Sequence, residues 1–381
     1  MYTLENKRKF NTMRISAHRP DRTRTSCAVA QPERIYLLAD DLTGACDAAA
    51  AFLPAGYSVR VWTGGKAWSS TPETVQAFNT DSRSLSPSLA GRAVSDAVAA
   101  LDTGKNFIFF KKIDSVARGP LAAELLASQR TLGTQAILLA PSFPAAGRTV
   151  HHGILHIQDA TGQDRQLSLA ALFPAEFQPH IASISRPKEL AAAFHSDKAL
   201  LLCDAATQTE LEALARAALQ LQGLLYAGSA GLAQAIASLY CSPAALPPLP
   251  VSARTLIVAG SPHPLTRLQL ENLSPDHLAA DSPAVRILRI KCKASDDEHI
   301  RAAFCQFDPQ ALILTGGSTA SMATSALGAH SLILRGEFAS GIPWGIIQGG
   351  AAEGRVVITK SGGFGAPTAL REILDKLSGQ L

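Results

Sequence analysis

The chain has 381 residues, of which 47% are hydrophobic and 17% are charged, and its formal net charge is +4. This composition is typical of a globular protein with a sizeable core, and no apolar run reaches the roughly 18 residues of a membrane span. Residues 1–34 carry eight Lys or Arg against three acidic residues, which leaves the remainder at −1. The body therefore lacks the basic face that nucleic-acid binding requires.

The basic segment 1–34 has no apolar stretch of the kind found in secretory signals. We predict a disordered extension there, or a start site assigned too far upstream, with Met13 as one alternative. Six cysteines are scattered without a CxxC pair. This pattern indicates neither a disulfide framework nor a structural zinc site, and it favours a reducing, cytoplasmic location.

Short apolar runs alternate with segments of helical periodicity along the rest of the chain. Such alternation predicts an α/β fold of two domains, each with a mostly parallel sheet flanked by helices, and an active site in the interdomain cleft. Strands are predicted at 35–39, 58–62, 107–110, 136–140, 199–203, 255–259, 286–290, 311–315, 331–335 and 355–359, and helices at 42–53, 86–101, 121–131, 209–221, 264–273 and 319–327. The proline-dense stretch 242–251 is the predicted linker between domains at 35–241 and 252–381.

Polar clusters follow the predicted strands of the first half. Asp40 and Asp41 close the first strand, and Thr43 follows at the start of a helix. Two adjacent carboxylates repel each other, so they favour a cation, a hydroxyl-rich ligand or a proton between them. The alternative role for either aspartate is a helix N-cap.

A further cluster, residues 111–119 (KKIDSVARG), comes straight after a very apolar strand. It is predicted to hold a polyhydroxy carboxylate, with the Arg118 guanidinium on the carboxylate and Asp114 on hydroxyls. The alternative is a solvated loop with internal ion pairs.

Two histidines, His152 and His156, stand at a helical i, i+4 spacing that raises the question of a metal site. Gly153 lies between them, and no glutamate follows as in the HExxH motif, so we predict no metal ligands. His156 is interpreted as a substrate hydrogen-bond partner or a structural histidine.

Two glycine doublets mark the C-terminal third, Gly316-Gly317 and Gly362-Gly363. Each follows a β-branched apolar run and leads into a stretch with a helical pattern. A strand that ends in glycine at a helix start brings bare N–H groups and the positive helix terminus together, which predicts an anion site. The alternative is a tight strand-to-helix turn, for which glycine is the default residue.

The chain resembles the four-carbon acid sugar kinases at nine stretches that occur in family order from residue 35 onward. They are ADDLTGACDAA (39–49), NTDSR (79–83), KKIDSVARG (111–119), APSFPAAGRT (140–149), GSAGLA (228–233), GSPHPLTRLQ (260–269), LTGGSTA (314–320), GEFASGIPWG (336–345) and KSGGFG (360–365). The resemblance implies an N-terminal domain that binds a sugar acid, a C-terminal domain that binds ATP, and phosphoryl transfer in the cleft between them.

The resemblance also implies a set of site residues. On the acid-sugar side these are Asp40, Asp41, Asp81, Ser82, Arg83, Lys112, Asp114 and Arg118. On the nucleotide side they are Ser261, Gly316, Gly317, Ser318, Thr319, Gly362 and Gly363. Thr43, Ser115 and His156 complete the predicted substrate-binding set.

The sequence departs from the family pattern at three places. Val116 replaces a hydroxyl residue, and Ser318 stands where an acid is usual. The stretch 157–173 is shorter than in many members and lacks their richness in His, Pro, Thr and Met. These departures leave the identity of the substrate open.

The predicted reaction transfers the ATP γ-phosphoryl group to the terminal hydroxyl of a tetronate or 3-oxo-tetronate, with Mg²⁺ bridging the phosphates and either Asp41 or Asp114 as base. Such transfer demands positioning and charge neutralisation more than covalent chemistry. The sequence has no Walker A motif and no HRD/DFG set.

The alternatives are a non-catalytic sugar-acid or nucleotide sensor, and a Rossmann-type oxidoreductase, whose GxGxxG motif is missing after the first strand. The expected partners are the sugar acid and ATP, with no nucleic acid or membrane, and a homodimer is left open.

Overall fold

The computed structural model describes residues 31–64, 71–102, 106–158, 164–240, 244–273 and 284–380. The strands are β1 (Arg34–Ala39), β2 (Val59–Trp62), β3 (Val75–Asn79), β4 (Phe107–Lys112), β5 (Ala136–Ala140), β6 (Arg148–His151), β7 (Ile154–Gln158), β8 (Asp164–Ser168), β9 (Ile181–Ile184), β10 (Leu200–Cys203), β11 (Leu224–Gly228), β12 (Thr255–Ala259), β13 (Val285–Arg289), β14 (Ala311–Thr315), β15 (Ser331–Ala339), β16 (Ile342–Gln348) and β17 (Val356–Lys360).

The α-helices of the described residues are α1 (Leu42–Ala50), α2 (Pro87–Ala99), α3 (Leu121–Leu132), α4 (Leu190–Phe194), α5 (Gln208–Ala218), α6 (Ala230–Ala237), α7 (Pro264–Glu271), α8 (Asp296–Phe307), α9 (Gly317–Ala326) and α10 (Ala369–Leu377). Short 3₁₀ turns lie at Pro144–Ala146, Ala170–Leu172, Ala175–His180 and Pro187–Glu189. None of the described helices is long and apolar enough to cross a membrane.

One large sheet organises the described chain, in the order β13-β12-β14-β17-β16-β15-β2-β3-β1-β4-β11-β5-β10-β9. Its pairs are parallel except those that involve the β15–β16 hairpin, which runs antiparallel to β17 on one side and to β2 on the other. The predicted α/β class with a mostly parallel sheet is confirmed. The strands of the two halves are in addition hydrogen-bonded into a single sheet through β2 and β15.

The central strands are buried along their whole length, which explains why their sequences are continuous apolar runs rather than alternating ones. β12 reads TLIVA, β14 reads ALILT and β17 reads VVITK, and every residue of the three is buried. Capping side chains then define where helices begin: Asp41 accepts a hydrogen bond from the Gly44 N–H at α1, and Ser86 accepts one from Leu89 at α2.

Several elements differ from the sequence predictions. β4 continues through Lys111 and Lys112 instead of ending before them. The strands that were not predicted are β3, β6, β7, β8, β9, β11 and β16. His152 and His156 do not share a helix face, because the segment is a β-hairpin with His152 at its turn, where φ is 50°. A three-stranded antiparallel sheet of β6, β7 and β8 includes this hairpin.

The predicted domain boundaries fall where the described chain is irregular. Residues 244–254 form neither helix nor strand, and they include most of the predicted linker 242–251. Most of the predicted tail 1–34 lies outside the described residues, although Arg34 already belongs to β1. The division into domains at these positions stays a prediction.

The sheet order brings the carboxyl ends of β3, β1 and β4 side by side, and likewise those of β12, β14 and β17. The first set ends in Asn79, in the Asp40-Asp41 pair and in Lys112. The second set ends in the glycine-containing turns. Ligands of open parallel sheets bind at such strand ends, so the two sets form two candidate walls of one site.

Candidate active site

A cleft of about 990 Å³ lies between these two walls, and residues of both halves line it. The N-terminal wall is formed by predicted site residues at the ends of β1, β3 and β4, and the C-terminal wall by those after β12, β14 and β17. The predicted site residues that line the cleft are Asp41, Thr43, Asp81, Arg83, Lys112, Asp114, Ser115, Arg118, Ser261, Gly316, Gly317, Ser318, Thr319, Gly362 and Gly363.

Arg83 connects the carboxylates of the N-terminal wall. Its Nε and Nη2 donate to both oxygens of Asp40 at 2.7 and 2.9 Å, and its Nη1 donates to Asp41 Oδ2 at 2.5 Å. Its Nη2 also lies 3.6 Å from Asp114 Oδ2. The paired carboxylates were predicted to favour a cation, a hydroxyl-rich ligand or a proton, and Arg83 supplies a cation from within the chain.

Asp114 and Arg118 form a second internal ion pair in the same wall. Arg118 Nε and Nη2 lie 3.0 and 2.5 Å from the two Asp114 oxygens, and the backbone N–H groups of Val116 and Arg118 also donate to Asp114. Burial alone would raise the pKa of Asp114, but the hydrogen bonds from Arg118 and the charges of Arg83, Arg118 and Lys112 lower it to about 2. The Arg118 side chain remains 61% exposed, so it can change its partner.

Asp41 is where the two walls meet. Its Oδ1 accepts the Gly44 N–H at 2.7 Å, and Thr43 Oγ1 lies 3.2 Å from its Oδ2. A Cβ atom at Gly317 would overlap the Asp41 carboxylate, so the start of α9 packs directly on this side chain. The Ser361 hydroxyl, at the end of β17, donates to Thr43 Oγ1 at 3.1 Å. The cleft is thus closed at its base by contacts between the halves.

The C-terminal wall begins at the first glycine doublet as predicted. Gly316 is the N-cap residue of α9 at φ 98°, a conformation that favours glycine, and the first turn of α9 contains no acidic residue. The first N–H groups of a helix have no intrahelical partner, and the helix dipole is positive at this end. This arrangement is suited to an anion.

The second doublet differs from its prediction, because no helix starts directly after it. Gly362 and Gly363 lie in a turn, and α10 begins only at Ala369. The doublet instead packs on the N-terminus of α7: a Cβ at Gly362 would overlap Ser261 Oγ and lie 3.0 Å from the Cβ of His263, the α7 N-cap residue. A helix N-terminus is therefore present at this turn, but it comes from a different segment.

Three predicted site residues do not line the cleft. Asp40 is buried behind Arg83, and Ser82 is buried with its hydroxyl bonded to Glu124, which also pairs with Lys111 Nζ at 2.9 Å. His156 lies on β7 with its ring 5.6 Å from that of His151, outside the cleft. Asp40 and Ser82 therefore support the wall from behind.

Asp47 lines the cleft and was not among the predicted site residues. It is buried on α1, and its Oδ1 has no hydrogen-bond partner among the described residues. Burial raises the pKa of Asp47 to about 6, Lys112 opposes the shift and Asp41 adds to it. Glu337 on β15 is close enough to feel the same charge, and burial together with Asp47 raises its pKa to about 7. Only the helix position of Asp47, one turn after Thr43, could have signalled it.

Comparisons with known proteins find a matching domain in each half of the chain. Residues 35–177 match the sugar-binding N-terminal domain, and residues 298–370 match the nucleotide-binding C-terminal domain, of four-carbon acid sugar kinases. The chain is 28% identical to a D-threonate kinase of Bordetella bronchiseptica over 88% of its own length and 95% of that protein. It is 24% identical to a D-threonate kinase of Salmonella typhimurium, over 90% of the chain and 97% of that protein.

A D-erythronate kinase of Heliobacterium modesticaldum is 27% identical over 62% of the chain and 59% of that protein. Among solved structures, a Haemophilus influenzae protein has the same fold with a TM-score of 0.64 and 18% identity, over 90% of this chain and 99% of that one. The two matched domains together span more than half of the sequence, in the order that the family has them. The chain belongs to the four-carbon acid sugar kinase family.

Proposed function

We propose that this protein is a kinase that transfers the γ-phosphoryl group of ATP to the terminal hydroxyl of a four-carbon sugar acid of the threonate or erythronate type. The names of its relatives support the substrate class. The single observation that carries the proposal is the contact at the base of the cleft, where the Asp41 carboxylate packs against Gly317 at the start of α9. A side chain that can accept a proton thus lies beside a backbone site for phosphate.

The N-terminal wall would bind the acid by exchange of ion-pair partners. Arg118 already holds one carboxylate, that of Asp114, in a two-point contact. A substrate carboxylate of the same shape can replace or share that contact, since an arginine fork matches planar carboxylates. Lys112, whose Nζ donates to the Ile113 carbonyl at 2.9 Å, adds positive charge at the same strand end.

Of the two candidates for the general base, Asp41 and Asp114, we propose Asp41. The pKa of Asp114, about 2, makes it a weak proton acceptor near neutral pH. Asp41 lies instead at the junction of the walls, where an acceptor hydroxyl would meet the γ-phosphate. Arg83 and the Gly44 N–H hold the Asp41 carboxylate in one orientation, as a positioned base requires.

The residues present fit the expected Mg²⁺ ion. No group of three or more His, Cys, Asp or Glu that could hold a metal occurs among the described residues. Mg²⁺ in kinases needs only one or two carboxylates, because phosphate oxygens and waters supply the remaining ligands. The unpartnered Oδ1 of Asp47 offers such a carboxylate. The ion would neutralise phosphate charge during transfer.

The test is an ADP-release assay with ATP, Mg²⁺ and a panel of D- and L-threonate, D- and L-erythronate and the corresponding neutral tetritols. Acid-dependent ADP release with a phosphorylated product is the expected result. Nucleotide binding without turnover of any acid would favour the sensor alternative. Equal turnover of the neutral sugars would contradict the role given to Arg118 and Lys112.

A further inference from the structure

Lys360 joins the two glycine turns of the C-terminal wall. It is the last residue of β17, and its carbonyl accepts the Gly316 N–H at 2.7 Å. Its side chain is fully buried, and Nζ donates to the carbonyl of Ser361 at 3.0 Å, of Gly362 at 3.5 Å and of Phe364 at 3.4 Å. One residue thus fixes the start of α9 by its backbone and the second glycine turn by its side chain.

The hydrogen bonds of Lys360 decide which way the amides of the second turn point. In a planar trans peptide the C=O and the following N–H point in opposite directions. Because Lys360 draws the carbonyls of Ser361 and Gly362 inward, the N–H groups of Gly362 and Gly363 face away from it. Thr266 Oγ1 reinforces this orientation with a 2.9 Å bond to the Gly362 carbonyl. Neither N–H has an acceptor among the described residues, and both glycines line the cleft.

The charge of Lys360 is not balanced within the described chain. No carboxylate of the described residues forms an ion pair with it, and burial lowers its pKa to about 8. Lys111 is the contrasting case, since it is equally buried at a strand end but pairs with Glu124. A buried ammonium with only neutral acceptors is costly. The missing negative charge is therefore expected from a ligand.

We propose that Lys360 is a positioning residue of the nucleotide site, which turns the amides of Gly362 and Gly363 toward the cleft and whose charge is balanced by the polyphosphate that those amides bind. This inference rests on the proposed function for the identity of the ligand, a nucleoside triphosphate. Inorganic tripolyphosphate has the same anionic chemistry and tests the site without the kinase reaction. Adenosine, which has no phosphate, is the matched probe for the rest of the nucleotide pocket.

The pH dependence of binding separates this role from a purely structural one. Polyphosphate affinity should be highest when Lys360 is protonated and should fall as pH rises above about 8. The other titratable or charged groups around the turn and the cleft behind it are His263 and Arg267 on α7, Asp47 on α1, Glu337 on β15, and Lys291 and Cys292 after β13. The pKa values of Asp47 and Glu337, raised by burial to about 6 and about 7, lie below this range, and arginine stays charged throughout. A Cys292→Ser background removes the thiol from the measurement.

The experiment is calorimetric titration of ATP, tripolyphosphate and adenosine into the full chain, into Lys360→Met and into the control Lys376→Met, whose lysine is exposed on α10. Lys360→Met should weaken ATP and tripolyphosphate binding by roughly 10- to 100-fold, the range for a lost charged hydrogen bond. Adenosine binding and the control should be unchanged. In the parent, ATP affinity should fall between pH 8 and pH 9.5, a range in which the phosphates of ATP no longer titrate, and in Lys360→Met this fall should be absent.

The inference is overturned if Lys360→Met binds tripolyphosphate like the parent, or loses ATP and adenosine affinity equally. A parent protein that binds neither anion, or whose ATP affinity is flat between pH 8 and pH 9.5 in the Cys292→Ser background, also overturns it. The parent pH profile decides the matter if Lys360→Met does not fold. Lys360-dependent tripolyphosphate binding without any acid-dependent ADP release would support this inference while contradicting the proposed function.

Discussion

The N-terminal wall of the cleft contains a network of ion pairs, whereas the C-terminal wall offers bare amides and the buried Lys360, which has no ion pair among the described residues. Arg83, Asp40, Asp41, Asp114 and Arg118 are joined by ion pairs across the first wall. The second wall combines helix N-termini at Gly317 and His263 with the buried ammonium of Lys360.

This difference indicates two ways of binding an anion. On the first wall an incoming carboxylate would compete with Asp114 for Arg118, so geometry rather than net charge would decide which acid binds. On the second wall a polyphosphate would meet uncompensated positive potential, so charge itself would drive binding. Variants of the first wall should therefore change acid recognition and turnover, and variants of the second wall should change nucleotide affinity.

The largest effect is expected from Asp41→Asn, which removes the proposed base at the junction of the walls. We expect kcat to fall by about 10²–10⁴-fold, the usual contribution of a general base, with little change in the KM of the acid. Asp114→Asn is the comparison, because its carboxylate is already held by Arg118. ADP release under saturating substrates measures both. Turnover of Asp41→Asn within about threefold of the parent, well short of that range, would remove Asp41 from the mechanism.

Arg118→Lys tests the exchange of partners on the first wall. Lysine keeps the charge but loses the two-point contact now made to Asp114, so KM for the acid should rise by a factor equivalent to roughly 1–3 kcal/mol. ATP affinity should hardly move. Arg186→Lys is the control, since Arg186 pairs with Glu189 outside this cleft, with its Nε and Nη2 both on the single oxygen Oε1. Equal effects of Arg118→Lys on both substrates would contradict the separation of the walls.

Gly362→Val tests the second wall. A Cβ at this position overlaps Ser261 Oγ and presses on His263, so ATP affinity should fall on the order of tenfold, about 1.4 kcal/mol, while the KM of the acid stays the same. Gly354→Asn is the control, because Gly354 has φ 77° and open space around it. Calorimetric titration with ATP measures the effect. Parent-like ATP affinity in a folded Gly362→Val protein would exclude this turn from the nucleotide site.

The sequence predicted the parts of the site that depend on local pattern. The strand ends next to Asp41 and the two glycine doublets were found in this way, because a parallel sheet places such ends at one edge. Pairing between distant segments left no local signal. The junction of β2 with β15 is one example, and the strand character of Lys111, which is stabilised by Glu124 on another element, is a second.

Burial and hydrogen-bond direction were equally hidden from the sequence. The segment KSGGFG predicts a glycine turn, but only the fold shows that Lys360 points inward and that α7, not the following residues, supplies the helix N-terminus. The same holds for Asp47. Its position on α1 was visible in the sequence, whereas the surroundings of its unpartnered oxygen include Glu337 and Gly341, which lie far away in the chain.

The smallest effect concerns stability and comes from Asp47, the unpaired carboxylate between the walls. Burial raises the pKa of Asp47 to about 6 in the folded chain, from its ordinary value of 3.8. The folded state therefore binds the proton more tightly between these pH values, and the contribution of Asp47 to the free energy of unfolding decreases as pH rises through this window. Above pH 6 the destabilisation is complete. Asp47→Asn keeps the shape of the side chain and removes the charge.

At pH 7.5 Asp47→Asn should raise the free energy of unfolding on the order of 1 kcal/mol, less than the roughly 3 kcal/mol that the whole shift would give. At about pH 3, below both pKa values of Asp47, the two proteins should have equal stability. Thermal unfolding without divalent ions, with the exposed Asp96→Asn on α2 as control, measures the difference. Added Mg²⁺ and ATP should then stabilise the parent more than Asp47→Asn, because only the parent has the carboxylate that would bind the ion. If Asp47→Asn is instead less stable than the parent at pH 7.5 without ligands, a donor or cation already binds the Asp47 carboxylate. Asp47 would then be a paired charge like those of the N-terminal wall, and the contrast drawn between the walls would not extend to it.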